Sequence, residues 1–268
     1  MGDEVGGSSL AAGLESVPRA LGAALVIPFL NSVEHVATLR ERFPADAVAP
    51  ATIRVEATRV AAGEIEHASP FALVELAASG ANAERVERVA AALRGAGVDV
   101  NVRTDETAML WEKLALLAPL ALLTTWAAAP VGTVRVEHRG DMVACVAEVA
   151  EVARSEGAHV HSDHLLAIID GVPESMQSSM QRDAAAGRPT ELEAIGGAVL
   201  RAAGRVGIAV PVTQRLVDSL RERERMVGAP GGLITFRANR PPTERAGGPA
   251  FASFRVPPAP DSFADRQW

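Results

Sequence analysis

Apolar residues follow two regimes along this 268-residue chain. Up to about residue 103 the apolar runs are short and punctuated by turns; beyond it they recur at helical spacing. In the first regime Ala23–Phe29 (AALVIPF) reads as a short, fully buried strand, followed by a turn at Asn31 and an amphipathic helix reaching Phe43. From Val48 to Ser79 the pattern alternates. IRVEATRV, a turn at Ala62-Gly63, EIEHAS and FALVELA after Pro70 predict a β-meander or hairpin pair. Asn82–Leu93 sets Val86, Val89, Ala90 and Leu93 on one helical face and stops at RGAG; Val98–Val102 is a last short strand.

The second regime opens with Thr107–Trp126, TAMLWEKLALLAPLALLTTW. It is uncharged from Leu114 to Val134, long enough to cross a bilayer. Pro119, Thr124, Thr125, Pro130 and Gly132 interrupt it, and no second such run exists, so a buried central helix ending near Ala128 is expected and no membrane partner. Asp141 is placed as the cap of a helix that turns Met142, Cys145, Val146, Val149 and Ala153 to one side and closes at Gly157. Another helix starts near His164, and Thr190 caps one running through Ala203. Gly196 and Gly197 lie inside it, where each costs about 1 kcal/mol relative to alanine, so close backbone approach is expected there. Pro211 and Thr213 open the final helix, with Leu216, Val217 and Leu220 inward. The chain from Val227 onward is Gly/Pro-rich and aperiodic, and reads as a disordered tail. The change of regime near Thr104 marks a domain boundary. The expected fold class is α/β plus all-α: residues 1–103, then a helical domain over 104–227, then the tail at 228–268.

A net charge of −7 and the lack of a basic run exclude nucleic acid as the main partner. The single cysteine, Cys145, allows no intrachain disulfide and no cysteine metal cluster; among apolar neighbours it reads as a small core residue in a reducing cytoplasm. The start, Met1-Gly-Asp-Glu, is acidic with no apolar run behind it, so no secretory leader is expected.

Three places carry candidate chemistry. Lys113 is the only lysine among 26 basic residues and has Met109, Leu110, Leu116 and Leu117 three and four positions away. Either it snorkels from an apolar helix face, or burial lowers its pKa so that it exchanges a proton near neutral pH, which arginine cannot do. His159, His161, Asp163 and His164 group imidazoles with a carboxylate, but i, i+2, i+5 spacing does not share a helix face; a solvated loop is expected and no metal. Ser178-Ser-Met-Gln-Arg-Asp183, ahead of Thr190 and Glu191, gathers polar groups before a capped helix and reads as one wall of a binding cleft.

SSMQRDAAAGRPTELEAIGG, with LWEKL upstream and GIAVP downstream, resembles the C-terminal helical domain of the ketopantoate reductases (2-dehydropantoate 2-reductases) over roughly Ala23 to Arg225. The resemblance implies a partial Rossmann-like nucleotide-binding domain followed by the helical domain. It also implies NADPH-dependent reduction of 2-dehydropantoate, or a related small 2-keto acid, for pantothenate biosynthesis, and a possible homodimer. Carried over, Lys113 is the catalytic general acid, and Glu191 works beside it and contacts the cofactor ribose. Ser179 binds substrate, and Asn31 belongs to the Asn-Gly turn beside the nicotinamide. Three departures stand out. No G-x-G-x-x-G turn precedes Ala23, as though the chain began partway through the nucleotide-binding domain. Leu117 and Ala121 replace two substrate-holding asparagines, and Ser32 replaces the glycine of the Asn-Gly turn. They leave open an inactive paralogue or fragment serving as a dimerisation or small-molecule binding module.

Overall fold

The structure, a computed structural model, describes residues 13–15, 17–18, 22–67 and 72–228. The start of the chain, Pro70 and the predicted tail beyond Gly228 lie outside the described residues. In chain order the first region comprises α1 (His35–Arg42), β1 (Ala51–Arg54), β2 (Ala57–Ala61), β3 (Glu64–His67), β4 (Leu73–Ala77), α2 (Ala83–Gly95) and β5 (Asp99–Arg103). The strands form a sheet in the order β1–β4–β5, with β1 antiparallel and β5 parallel to β4. A separate hairpin pairs β2 with β3 about the Ala62-Gly63 turn, where Gly63 takes φ 79°.

Two strand readings change. Ala23–Phe29 is not a fully buried strand: only Val26 pairs, in parallel with Val48, while Leu25 and Ile27 are half-buried and Phe29 is 44% exposed. It lies along one side of the sheet, and Pro28 brings no N–H to extend a ladder. IRVEATRV is not one strand either. The chain leaves the sheet after Arg54, exposes Val55 and Glu56, and enters the hairpin at Ala57.

The second region is helical: α3 (Glu106–Ala127), α4 (Val131–Glu137), α5 (Arg139–Ser155), α6 (Ser162–Gly171), α7 (Ser179–Ala185), a π-helical turn at Glu193–Gly197 continuing into α8 (Ala198–Val206), and α9 (Pro211–Gly228). α3 is the axis of this region. Asp105 accepts from the Ala108 N–H at 3.0 Å to start it, and Ala128, in the left-handed region at φ 51°, ends it. α3 has the length and apolar character of a membrane-crossing helix, but 72% of its most apolar window is buried inside the protein. Leu114, Leu122 and Leu123 join Met142, Val146 and Val149 of α5, Val199 of α8 and Leu216 of α9 in one core.

Asp141 is not a cap: α5 begins at Arg139, and the Asp141 carboxylate in its first turn pairs with Arg215 at 2.6 Å. α4 was not legible in the sequence. Its opening N–H groups bond to the chain ahead of α7, Val131 to Met176 O and Gly132 to Glu174 O, both at 3.0 Å. A Cβ on Gly132 would lie 2.7 Å from Glu174 Cβ. The close approach expected at the glycine pair is present, since a Cβ on Gly196 would lie 2.6 Å from Val217 Cγ2 and 2.9 Å from Leu122 Cδ2. One helix end is closed from afar: Glu148 of α5 accepts from Val212 N, Thr213 N and Thr213 Oγ1 at 2.9, 2.8 and 2.7 Å.

Candidate functional site

Lys113 lies two turns into α3, on the side that meets the sheet region. Met109 and Leu110 are buried beside it, with Leu116 and Leu117 partly buried. Its Nζ donates to Asn31 Oδ1 at 2.9 Å, and Asn31 Nδ2 donates to Glu191 Oε2 at 2.9 Å. An amide between an ammonium and a carboxylate has one favourable orientation, its oxygen toward the cation and its NH₂ toward the anion. Asn31 comes from the loop before α1, where Ser32 Oγ accepts from Glu34 N at 3.2 Å. Glu191 directly precedes the helix that carries the π turn, where Thr190 Oγ1 accepts from Leu192 N at 3.2 Å. Three segments far apart in sequence thus meet at three half-buried side chains.

Burial pushes the Lys113 ammonium down to about 8; Glu191 opposes the shift, Arg54 adds to it and Glu75 opposes it. Glu75 is 6% exposed on β4. It accepts from Thr52 Oγ1 at 3.2 Å and Arg103 at 3.3 Å, with Arg54 3.3 Å away. Arg103 in turn forks onto Glu112, the neighbour of Lys113. Such an ion network satisfies a buried carboxylate that would otherwise be costly. His35, the first residue of α1, is 4% exposed with neither ring nitrogen hydrogen-bonded. Burial, with the Ser32 backbone opposing and the Lys113 charge assisting, lowers its pKa to about 4.

A small cleft of ≈ 10 Å³ lies against Lys113 and Asn31, walled by Leu30, Ser32, Leu110, Leu114 and Leu117. Ser179 is not part of the bonded trio. It is exposed on the first turn of α7, while its neighbour Ser178 is buried, caps α7 by accepting from Gln181 N at 3.1 Å, and contacts Thr124 Oγ1 at 2.8 Å. His159, His161 and His164 are exposed, and no group of residues suited to a metal ion occurs among the described residues. Cys145 is fully buried, and burial raises its thiol to about 12, which suits a core residue.

Residues 8–79 match the family model described as ketopantoate reductase PanE/ApbA, and residues 105–224 match its C-terminal companion. The 2-dehydropantoate 2-reductase of Halobacterium salinarum is 32% identical over 226 residues, 78% of this chain and 72% of that protein. The chain belongs to the ketopantoate reductase family. A solved PanE/ApbA family ketopantoate reductase from Ralstonia eutropha shares 26% identity at a TM-score of 0.70, over 83% of this chain and 73% of that one. D-mandelate dehydrogenase, solved with NADH, superposes at a TM-score of 0.73 with 20% identity, over 82% of this chain and 76% of that one, a likeness of fold. The architecture is that of the family, Rossmann-like strands and helices followed by a helical region.

Against that background, the apolar substitutions at 117 and 121 differ in consequence. Leu117 faces the cleft, whereas Ala121 is 1% exposed in the helical core. Sequence reasoning reached Lys113, Asn31 and Glu191 but passed over Glu75, Arg103, Arg54 and His35. A charged residue inside the apolar strand FALVELA was the available signal for Glu75.

Proposed function

We propose that this chain carries out nicotinamide-dependent reduction of 2-dehydropantoate or a closely related 2-keto acid, with Lys113 as general acid. The observation that carries the reading is the hydrogen-bonded chain from Lys113 through Asn31 to Glu191 beside a small cleft. A group titrating at about 8 is largely protonated at neutral pH yet close enough to that pH to give up its proton, as a general acid must. Asn31 occupies one N–H of the ammonium and leaves the others to reach a carbonyl oxygen. Glu191 holds the amide and keeps the ammonium charged against its burial.

The donor set fits the nicotinamide and ribose end of the cofactor, which Asn31 and Glu191 would hold; we take it to be NADPH. When bound, the reduced nicotinamide supplies the hydride. The 268 residues contain no G-x-G-x-x-G turn. Ser179, exposed at the start of α7, is kept as a substrate-binding residue on the strength of the resemblance, and Thr104 as the boundary between the two domains.

A second reading, a module that binds a small acid without reducing it, is favoured by Leu117, an apolar wall where the family resemblance calls for an amide. One experiment separates the two: titrate the chain with NADPH by tryptophan quenching, then follow NADPH oxidation with 2-dehydropantoate. Binding with turnover supports the reductase; binding of the acid without turnover supports the module.

A further inference from the structure

Reduction of a 2-keto acid needs more than a proton donor, because the substrate carries a carboxylate that must be held while its carbonyl reacts. α3 offers no such group: one and two turns beyond Lys113 it presents Leu117 and the buried Ala121. The sheet offers one. Val26 and Val48 pair in parallel, so both segments run out at the same edge of the sheet, the first to Asn31 and the second to Arg54 at the end of β1. Ligands of open α/β sheets lie outside such carboxyl ends. α3 packs on β1 and β4 and begins just past the end of β5, at the opposite edge. The bond from Lys113 to Asn31 ties the helix to that edge, and a chain of ion pairs from Arg54 through Glu75 and Arg103 to Glu112 ends at the residue beside Lys113.

Arg54 is also held for use. Its side chain is 31% exposed, and its shortest contact to a carboxylate is from Nη2 to Glu75 Oε2 at 3.3 Å. Among the described residues it has no hydrogen-bond partner, so most of its donor fork is free. Glu75 is fixed independently by Thr52 and Arg103. A planar guanidinium anchored on one side and open on the other suits bidentate capture of a carboxylate.

We infer that Arg54 binds the carboxylate of the 2-keto acid, taking the part that polar side chains at 117 and 121 would otherwise play. The inference rests on the reductase reading above and assigns a specificity residue within the same site.

The test compares 2-dehydropantoate with its neutral lactone as substrates of the full chain with NADPH, in wild type, Arg54→Gln and Arg54→Lys. Losing a charge-assisted pair should raise KM for the acid roughly 10- to 100-fold in Arg54→Gln. Expected with it are a kcat little changed, an unchanged KM for the lactone, and a partial loss in Arg54→Lys. Should Arg54→Gln leave the Glu75 charge less compensated and loosen the fold, the double variant Arg54→Gln/Glu75→Gln removes that charge and should show the same acid-selective loss. An equal KM change for acid and lactone, or none for either, overturns the role of Arg54 while wild-type turnover keeps the reductase reading intact. Failure of the wild type to reduce either compound overturns the reductase reading, and this inference with it.

Discussion

Among the described residues, the sheet region buries seven residues in its main core, three of them alanine, and Leu39, Phe43 and Val48 in a second small cluster, whereas the helical region buries 32 in a single continuous core. The first is too small to hold its strands alone and leans on a seam where Val36 and Ala77 meet Met109 and Leu110 of α3. The second is self-sufficient. None of the side chains proposed for chemistry belongs to either core. Asn31 comes from the weaker region, Lys113 and Glu191 from the stronger one, and the polar bonds between them cross the seam. The region with the larger core thus carries Lys113 and Glu191, while the asparagine that links them arrives on the region that depends on it.

The largest effect should come from Lys113→Ala, which cuts the seam chemically without touching either core. Turnover of the keto acid should fall by about a thousandfold or more. The urea midpoint should hold or rise, because a desolvated ammonium is removed. Wild-type kcat should decline as pH rises through about 8, where the proton to be donated is lost. A variant that kept near wild-type rate would remove the acid from the scheme.

Leu122→Ala and Leu76→Ala test the dependence of one core on the other. Each empties a fully buried site and should cost about 3 kcal/mol. If the sheet leans on the helices, Leu122→Ala lowers the unfolding midpoint reported by both regions, while Leu76→Ala lowers it most for the sheet. Two equal, independent shifts in hydrogen-exchange protection would contradict the dependence.

His35 reports the seam by pH. Its folded pKa of about 4 lies below the ordinary value of 6.5, so between these the unfolded chain binds a proton that the native chain does not. Stability should therefore fall as pH drops from about 6.5 to about 4, by about 3 kcal/mol in all. His35→Leu should flatten that part of the curve; an unchanged slope would assign the acid sensitivity elsewhere. Smallest of all, Thr213→Val should cost about 1 kcal/mol by loosening the cap that Glu148 makes on α9, with no effect on turnover. Any change in KM there would mean that the helical core is less self-contained than its packing implies.

Much of the helical region could be read from the chain because its period and stops are local. α3, the buried face of α5 and the inward row of α9 need only the spacing of apolar residues and a nearby cap. The sheet was harder, because IRVEATRV divides between two partners: Ile53 and Arg54 pair with Val74 and Leu73 of the distant β4, whereas Ala57 onward pairs with the adjacent β3. Lys113 stood out by type, as a lysine in a chain that otherwise uses arginine. Glu191 and Asn31 were found through resemblance, since nothing local links residues 160 positions apart. The ion network of Glu75 and the π turn after Glu191 depend on packing that a sequence pattern does not encode.

Gly132 shows how far such packing reaches. No side chain can be added there without displacing Glu174, and that strand of chain leads straight into Ser178 and Ser179. In a saturation screen for the proposed turnover of the keto acid with NADPH, position 132 should therefore look as intolerant as Lys113, although it contacts no ligand of the proposed site. The scar of a substitution there would be felt on the far side of α4, in the placement of a serine.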